Sequence, residues 1–366
     1  MPAQYFIGLM SGTSLDGIDA SLIECSTPHE PIILCQHLQQ PYPPAVQQAL
    51  RQINADTPLA TILRWHNTLP RHYADAVEAL LSRAEISRTR IAAIGCHGQT
   101  VWHDAQANPP VSAQLGNPSH LAELTGIDVV ADFRQRDLAA GGQAAPLAPL
   151  FHRVLFKAPH PRAVLNLGGI ANITLLGANG DATAGFDCGP ANTLLDAWCR
   201  ESAGMAFDDQ GRWAASGKVD PALLQQLLSD PFFAKKPPRS TGPEHFNLNW
   251  LNPQLPQTIS AADVQATLAE LTARSIAKAL RQSGAQVDDV IVTGGGTNNH
   301  DLIERIAAAV APCAVKHSDT LGVPAEAVES AGFAWLAYAA LAGIRHNLST
   351  ITGAPYPIPL GGIYPR

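Results

Sequence analysis

Apolar positions crowd Tyr5-Phe6-Ile7-Gly8-Leu9-Met10, yield to the small and hydroxylated Ser11-Gly12-Thr13-Ser14-Leu15-Asp16-Gly17, and return in Ile18-Asp19-Ala20-Ser21-Leu22-Ile23-Glu24. That pattern predicts two strands joined by a glycine-bearing loop. The same succession restarts at Ala163-Val164-Leu165-Asn166-Leu167, turns at Gly168-Gly169 and continues over 170–176, a stretch that includes Asn172. A third glycine turn, Gly294-Gly295-Gly296-Thr297-Asn298-Asn299, follows the apolar Val290-Ile291-Val292-Thr293 and precedes a helix expected over 301–310. Tyr73, Ala76, Val77, Leu80 and Leu81 keep the three-four spacing of an amphipathic helix over 70–83. Asn117-Pro118 opens a helix that Gly126 closes, and Ser260 with Gly284 bounds one over 261–283. The helix expected over 324–342 is apolar on most faces and should be buried.

Short strands expected over 91–96 and 127–131 alternate with these helices, which points to an α/β protein. Two lobes are expected, 1–150 and 151–344, meeting near 133–160, with a surface excursion over 236–256. The proline-rich end, 345–366, should pack on the first lobe as an irregular strap.

A chain of 366 residues with 46% hydrophobic and 15% charged residues can bury two substantial cores. Its net charge of -7 lacks the basic face of a general nucleic-acid binder. No apolar run approaches a membrane span and no leader-like segment opens the chain, so a soluble, cytoplasmic protein without membrane attachment is expected. Six cysteines without a C-x-x-C pair suit reduced thiols better than a disulfide framework or a zinc site.

The first loop has the ingredients of an anion cradle. Gly12 and Gly17 permit close backbone approach, Thr13 and Ser14 offer donors, and Asp16 and Asp19 can hold a hydrated divalent cation. It lacks the Gly-Lys-Ser/Thr ending of a Walker loop, and an ordinary Ser/Gly-rich hairpin is the alternative. In Gly185-Phe186-Asp187-Cys188-Gly189-Pro190-Ala191-Asn192, Pro190 suits the first position of a helix with Gly189 as its cap. Asp187 is then either a proton acceptor near a helix start or a turn aspartate bonded to its own backbone. Arg134, with Arg136, is either a clamp for a substrate carboxylate or a surface ion-pair residue. His97 and Gln99 are either donors to a ligand or satisfied loop residues. Glu329 in its apolar helix must meet a polar ligand or emerge in a solvated first turn.

Taken together, the two strand-glycine-strand elements and the late glycine turn resemble the nucleotide site of the actin, sugar-kinase and heat-shock ATPase superfamily. That resemblance implies a two-lobed, actin-like (ribonuclease H-like) α/β fold with a nucleotide cleft between the lobes. Longer signatures are narrower. Gly8 to Gly17, Gly95-Cys96-His97-Gly98-Gln99-Thr100, Gln114-Leu115-Gly116-Asn117-Pro118, Asp132-Phe133-Arg134, Gly141-Gly142-Gln143-Ala144-Ala145-Pro146-Leu147, Gly185 to Pro190 and Gly332-Phe333-Ala334-Trp335-Leu336-Ala337 are similar to motifs of the anhydro-N-acetylmuramic acid kinases. The resemblance also covers Ser240-Thr241-Gly242 and Thr352-Gly353-Ala354.

Membership of that family implies an enzyme of peptidoglycan recycling that uses ATP, Mg²⁺ and water to convert 1,6-anhydro-N-acetylmuramic acid into N-acetylmuramic acid 6-phosphate. By the same resemblance Asp187 is the catalytic base. Gly12, Thr13, Ser14, Leu15, Asp16, Gly17, Ile18, Asp19, Gly168, Gly169, Asn172, Gly294, Gly295, Gly296 and Asn298 contact ATP, with Asp16 reaching the metal directly or through water. His97, Gln99, Arg134 and Glu329 are assigned to the sugar. A kinase of an ordinary hexose is the nearest alternative on this scaffold, and whether two copies pair as a homodimer is left open.

Overall fold

The computed structural model describes residues 4–12, 15–26, 32–104, 107–236 and 239–366, so Thr13 and Ser14 of the first loop lie outside the described residues. The chain forms two compact units, one of residues 1–155 with 326–366 and one of residues 156–325.

The first unit is built on strands β1 (Gln4–Ser11), β2 (Gly17–Cys25), β3 (Ile33–Pro41), β4 (Ile91–Asp104), β5 (Val111–Leu115) and β6 (Val129–Ala131). The second holds β7 (Arg162–Leu167), β8 (Ile170–Leu176), β9 (Ala182–Pro190), β10 (Asp289–Thr293) and β11 (Ala314–His317), and the tail returns to the first as β12 (Gly362–Tyr364). The sheet orders are β3-β2-β1-β4-β6-β12, with β5 beside β4, and β9-β8-β7-β10-β11. In each, a three-stranded antiparallel meander leads through its first strand into parallel neighbours, β1 with β4 and β6, or β7 with β10 and β11. One topology therefore occurs twice, as the repeated strand-glycine-strand pattern of the sequence suggested.

Local signals place most helix ends. Ser260 Oγ accepts from the Asp263 amide at 3.1 Å, and Gly284 closes the Ala261–Ser283 helix at φ 70°. Asn117 caps Pro118–Thr125 through the amides of Ser119 and His120.

Four expectations are corrected. The amphipathic helix runs over Leu59–Ala84 with Pro70 inside it, where burial of Leu69, Pro70 and Tyr73 offsets the amide bond that proline cannot make. Strand β4 continues through His97 and Gln99 to Asp104, because β5 pairs with its extension. Pro190 ends β9 instead of starting a helix. Gly189 and Pro190 pair with Ala171 and Ile170, and the next helix, Asn192–Ala203, begins after Ala191. The apolar helix spans Ala327–Leu341 and belongs with the first unit, not with 151–344; a helix buried on every side carries no sequence signal of which sheet it covers.

The placement of that helix depends on two glycines. Gly8 of β1 and Gly95 of β4 lie side by side in register. A Cβ at Gly8 would overlap Ser330 O and stand 2.5 Å from Ala334 N, and one at Gly95 would overlap Phe333 O. Helix backbone rests directly on sheet backbone there, which only glycine permits. Beyond the contact, the Phe333 ring packs on His97 at 4.7 Å, Phe133 at 5.4 Å and Phe151 at 6.0 Å. Gly8→Ala should therefore destabilise the protein by about 3 kcal/mol, at the upper end of overpacking costs, read as a shift in the denaturant midpoint. An unchanged midpoint would mean that the helix can lift without penalty.

Candidate active site

In the first unit the loop after β1 is held from below. Leu15 and Ile18 are buried in the core, whereas Asp16 between them is exposed. Leu15 takes φ 60° and its amide closes a turn on Gly12 O at 3.2 Å. Gln99 fastens the loop from β4. Its Oε1 accepts from Ser11 Oγ at 2.5 Å, while its Nε2 donates to Gly12 O and Thr100 O, both at 3.2 Å. Tyr42 Oη adds a 3.0 Å bond to Ser11 Oγ.

Asp19 lies on β2 opposite Met10, and its Oδ1 is buried without a hydrogen-bond partner. Burial first, then the carboxylates of Asp16 and Glu329, push its pKa up to about 7, against a lowering bond from Gln39. Excess negative charge around an orphaned oxygen suits a cation. Among the described residues no cluster of three or more His, Cys, Asp or Glu side chains could hold a metal by itself, so such an ion would keep water or ligand oxygens.

Arg134 follows β6. Its Nε donates to His97 Nε2 at 3.0 Å and its Nη1 to Ala144 O at 2.6 Å. A guanidinium has no proton acceptor, so His97 Nε2 carries the lone pair and Nδ1–H faces Gly98 O at 2.8 Å. Burial and the neighbouring Arg134 charge hold the His97 pKa well below the usual imidazole range, and the ring stays neutral. Burial lowers the Arg134 pKa to about 10, opposed by Glu329 and Asp137, so Arg134 remains cationic. Solvent reaches Glu329, in the first turn of its helix, yet the protein crowding it raises its pKa while Arg134 pulls it down. Arg136 is exposed and not part of this set.

The second unit gathers its own group. Gly168 O accepts from the Asn192 amide at 3.1 Å, and Gly169 O from the amides of Ala191 and Thr193 at 3.0 Å, which ties the β7–β8 turn to the next helix. A Cβ at Gly294 (φ 82°) would overlap Asn166 Oδ1, and one at Gly296 would lie 2.7 Å from Leu167 Cβ, so the late glycine turn packs on the same hairpin. Gly295 faces open space and Asn298 is exposed.

Asn172 is the cross-strand neighbour of Asp187. Asp187 Oδ2 accepts from the Thr241 amide at 2.9 Å, and its backbone pairs with Arg239 in both directions, Asp187 N to Arg239 O at 2.9 Å and Arg239 Nε to Asp187 O at 3.0 Å. Asp187 is thus bonded to a distant segment, not to its own turn. Burial pushes its pKa up to about 6, against the Thr241 amide and the Arg239 charge, with Glu244 adding to the rise. Arg239 and Thr241 were not singled out as site residues by sequence. Ser240-Thr241-Gly242 among the shared motifs was the one pointer to them.

Two sheets of the same order, each a meander continued by parallel strands, place the chain in the actin-like, ribonuclease H-like fold class. Within that class, the family model for anhydro-N-acetylmuramic acid kinase matches residues 4–366, and the chain belongs to that family. It is 46% identical to the anhydro-N-acetylmuramic acid kinase of Nitrosospira multiformis over 100% of both chains. It is 48% identical to that of Bordetella petrii over 100% of this chain and 97% of the relative. Among solved structures, component A of (R)-2-hydroxyglutaryl-CoA dehydratase from Acidaminococcus fermentans is similar at a TM-score of 0.49 and 13% identity, over 90% of this chain and 96% of that one. No helix among the described residues is long and apolar enough to cross a membrane.

The Asp19 environment makes a stability prediction. Its folded pKa, about 7, lies above the ordinary 3.8, so its contribution to stability is complete below pH 3.8 and is lost as pH rises through 7. Asp19→Asn removes that loss. Without divalent cations it should melt a few degrees above the parent at pH 8 and show no such gain at pH 4. A gain of equal size at both pH values would show that Asp19 is not the strained group.

Proposed function

We infer that this protein is an ATP-dependent kinase that opens 1,6-anhydro-N-acetylmuramic acid hydrolytically and yields N-acetylmuramic acid 6-phosphate and ADP, within the cytoplasm and as part of peptidoglycan recycling. The observation that carries the reading is Asp187. It is a carboxylate with a pKa near 6, accessible on one side, held by a backbone amide, in a chain matched by the family model from residue 4 to 366. Such a group is ionised at neutral pH and still basic enough to take a proton.

Asp187 accepts a proton from water as the water oxygen bonds to the anomeric carbon. The bond from that carbon to the bridging oxygen breaks, and the freed oxygen 6 attacks the γ-phosphorus of ATP with ADP leaving. Arg134 faces the sugar's lactyl carboxylate with the N–H groups that His97 and Ala144 do not use, and Glu329 accepts from a sugar hydroxyl or amide. His97 and Gln99 serve by what they hold, Arg134 and the Gly12 loop. Residues 12–19, the Gly168-Gly169 turn with Asn172, and Gly294 to Gly296 with Asn298 hold the nucleotide. Asp16 and Asp19 suit Mg²⁺, held in part through water; when bound, that ion neutralises charge on the phosphate oxygens.

ADP release should depend on 1,6-anhydro-N-acetylmuramic acid, and in ¹⁸O water the label should enter the product at carbon 1. Label-free product would point to an ordinary sugar kinase. Asp187→Asn should lower turnover by at least about 10²-fold with ATP affinity retained. In the parent, kcat/KM should fall tenfold per pH unit below about 6 and level off above it, because only ionised Asp187 acts. Arg134→Lys should raise the sugar KM by about 10-fold with little change in the KM for ATP, since an ammonium cannot make the paired contact.

A further inference from the structure

The segment that supplies the Asp187 donor has no regular structure over 239–247, so nothing in a helix or strand ladder sets the position of the Thr241 amide. Side-chain bonds hold it instead. At one end Arg239, buried, donates to Asp187 O, Cys188 O, Phe232 O, Lys235 O and Gln282 Oε1 and lies over the Phe232 ring at 4.6 Å. At the other end stands a hydrogen-bonded chain that the reaction itself does not use.

Asp230 Oδ1 accepts from the Phe232 amide at 2.8 Å, and its Oδ2 from Trp250 Nε1 at 2.9 Å and His245 Nε2 at 3.2 Å. A carboxylate partner fixes the proton of a neutral ring on Nε2, which leaves Nδ1 to accept from Thr241 Oγ, 3.4 Å away. The imidazole is held flat on Phe246, with centroids at 4.2 Å and planes 9° apart, and edge-on to Phe232 at 6.2 Å. Burial alone would raise the Asp230 pKa, but its amide, indole and imidazole donors together bring it below the usual range, so the chain ends on a carboxylate that stays ionised.

We propose that Asp230, His245 and Thr241 form a positioning set that keeps the Thr241 amide on the Asp187 carboxylate and thereby sets the pH range in which the base works. The proposal rests on the reading of Asp187 as that base. The groups facing Asp187 are the Thr241 amide and Arg239, which favour its ionised form, and Glu244 and burial, which oppose it. Releasing the amide leaves burial and Glu244 less opposed, and the Asp187 pKa moves up from about 6.

The test is the pH profile of kcat/KM for the full-length protein and its Thr241→Val, Thr241→Ser, Asp230→Asn and Asp187→Asn variants. Thr241→Val keeps shape and amide but loses the hydroxyl tie to His245. Its acid limb should shift upward by about half a pH unit or more, with kcat/KM at pH 6 down by at least about 2-fold and the KM for ATP unchanged. Thr241→Ser restores the hydroxyl and should return the parent profile. Asp230→Asn should shift the limb in the same direction; if it fails to fold, judged by its melting curve, Thr241→Val decides. A Thr241→Val profile superimposable on the parent, with Asp187→Asn inactive, overturns the positioning set and leaves the base in place. An active Asp187→Asn overturns the base and this proposal with it.

Discussion

Backbone-to-backbone contact between the Ala327–Leu341 helix and strands β1 and β4 is the constraint on which the first unit depends. With glycine at 8 and 95, the helix sits close enough for Ser330 Oγ to meet Ser21 Oγ at 2.6 Å and for Phe333 to cover His97. That in turn holds the imidazole where Arg134 can donate to it. The same approach brings the start of the helix, with Glu329, within electrostatic reach of Asp19 and Arg134. A side chain at either glycine would push out the helix and, with it, Glu329 and the Phe333 ring that covers His97. The tail reinforces this arrangement through β12 pairing on β6, the Tyr364 hydroxyl bonded to Asp132, and Thr352 Oγ1 donating to Asp137 Oδ1 at 2.7 Å.

Environment sets the carboxylates of Asp19 and Asp187 apart. Asp19 and Asp187 are both raised by burial, yet the neighbours around each differ. Around Asp19 the neighbours are other carboxylates and one oxygen has no partner, a setting relieved by a cation. Around Asp187 a backbone amide and the Arg239 charge restrain the rise, a setting in which a proton can come and go near neutral pH. Arg239 also illustrates how a buried cation is tolerated: its N–H groups are spent on carbonyls and an amide oxygen, which compensates for lost water.

Much was legible from sequence where neighbours along the chain decide the outcome. The two glycine hairpins, the Ser260 and Asn117 caps, the Gly126 and Gly284 stops and the alternation of strands and helices depend on residues within a few positions of one another. The Gly189-Pro190 pair, which locally favours a helix start, instead continues a strand, because β8 pairing carries β9 through that proline.

What the sequence by itself determined was the repeated local grammar and, through long composite motifs, the family; local propensity and hydrogen bonding act over a turn or two and are written in consecutive residues. Only the tertiary structure decided which sheet the apolar helix covers, that Gln99 spends its amide on Ser11 and Gly12, and that His97 is an acceptor for Arg134. It alone placed Arg239 and Thr241 on Asp187. Those partners are 37 to 88 residues apart. Their pairing, and the pKa values that follow from it, comes from burial and from which strands lie side by side, quantities that no window of sequence contains.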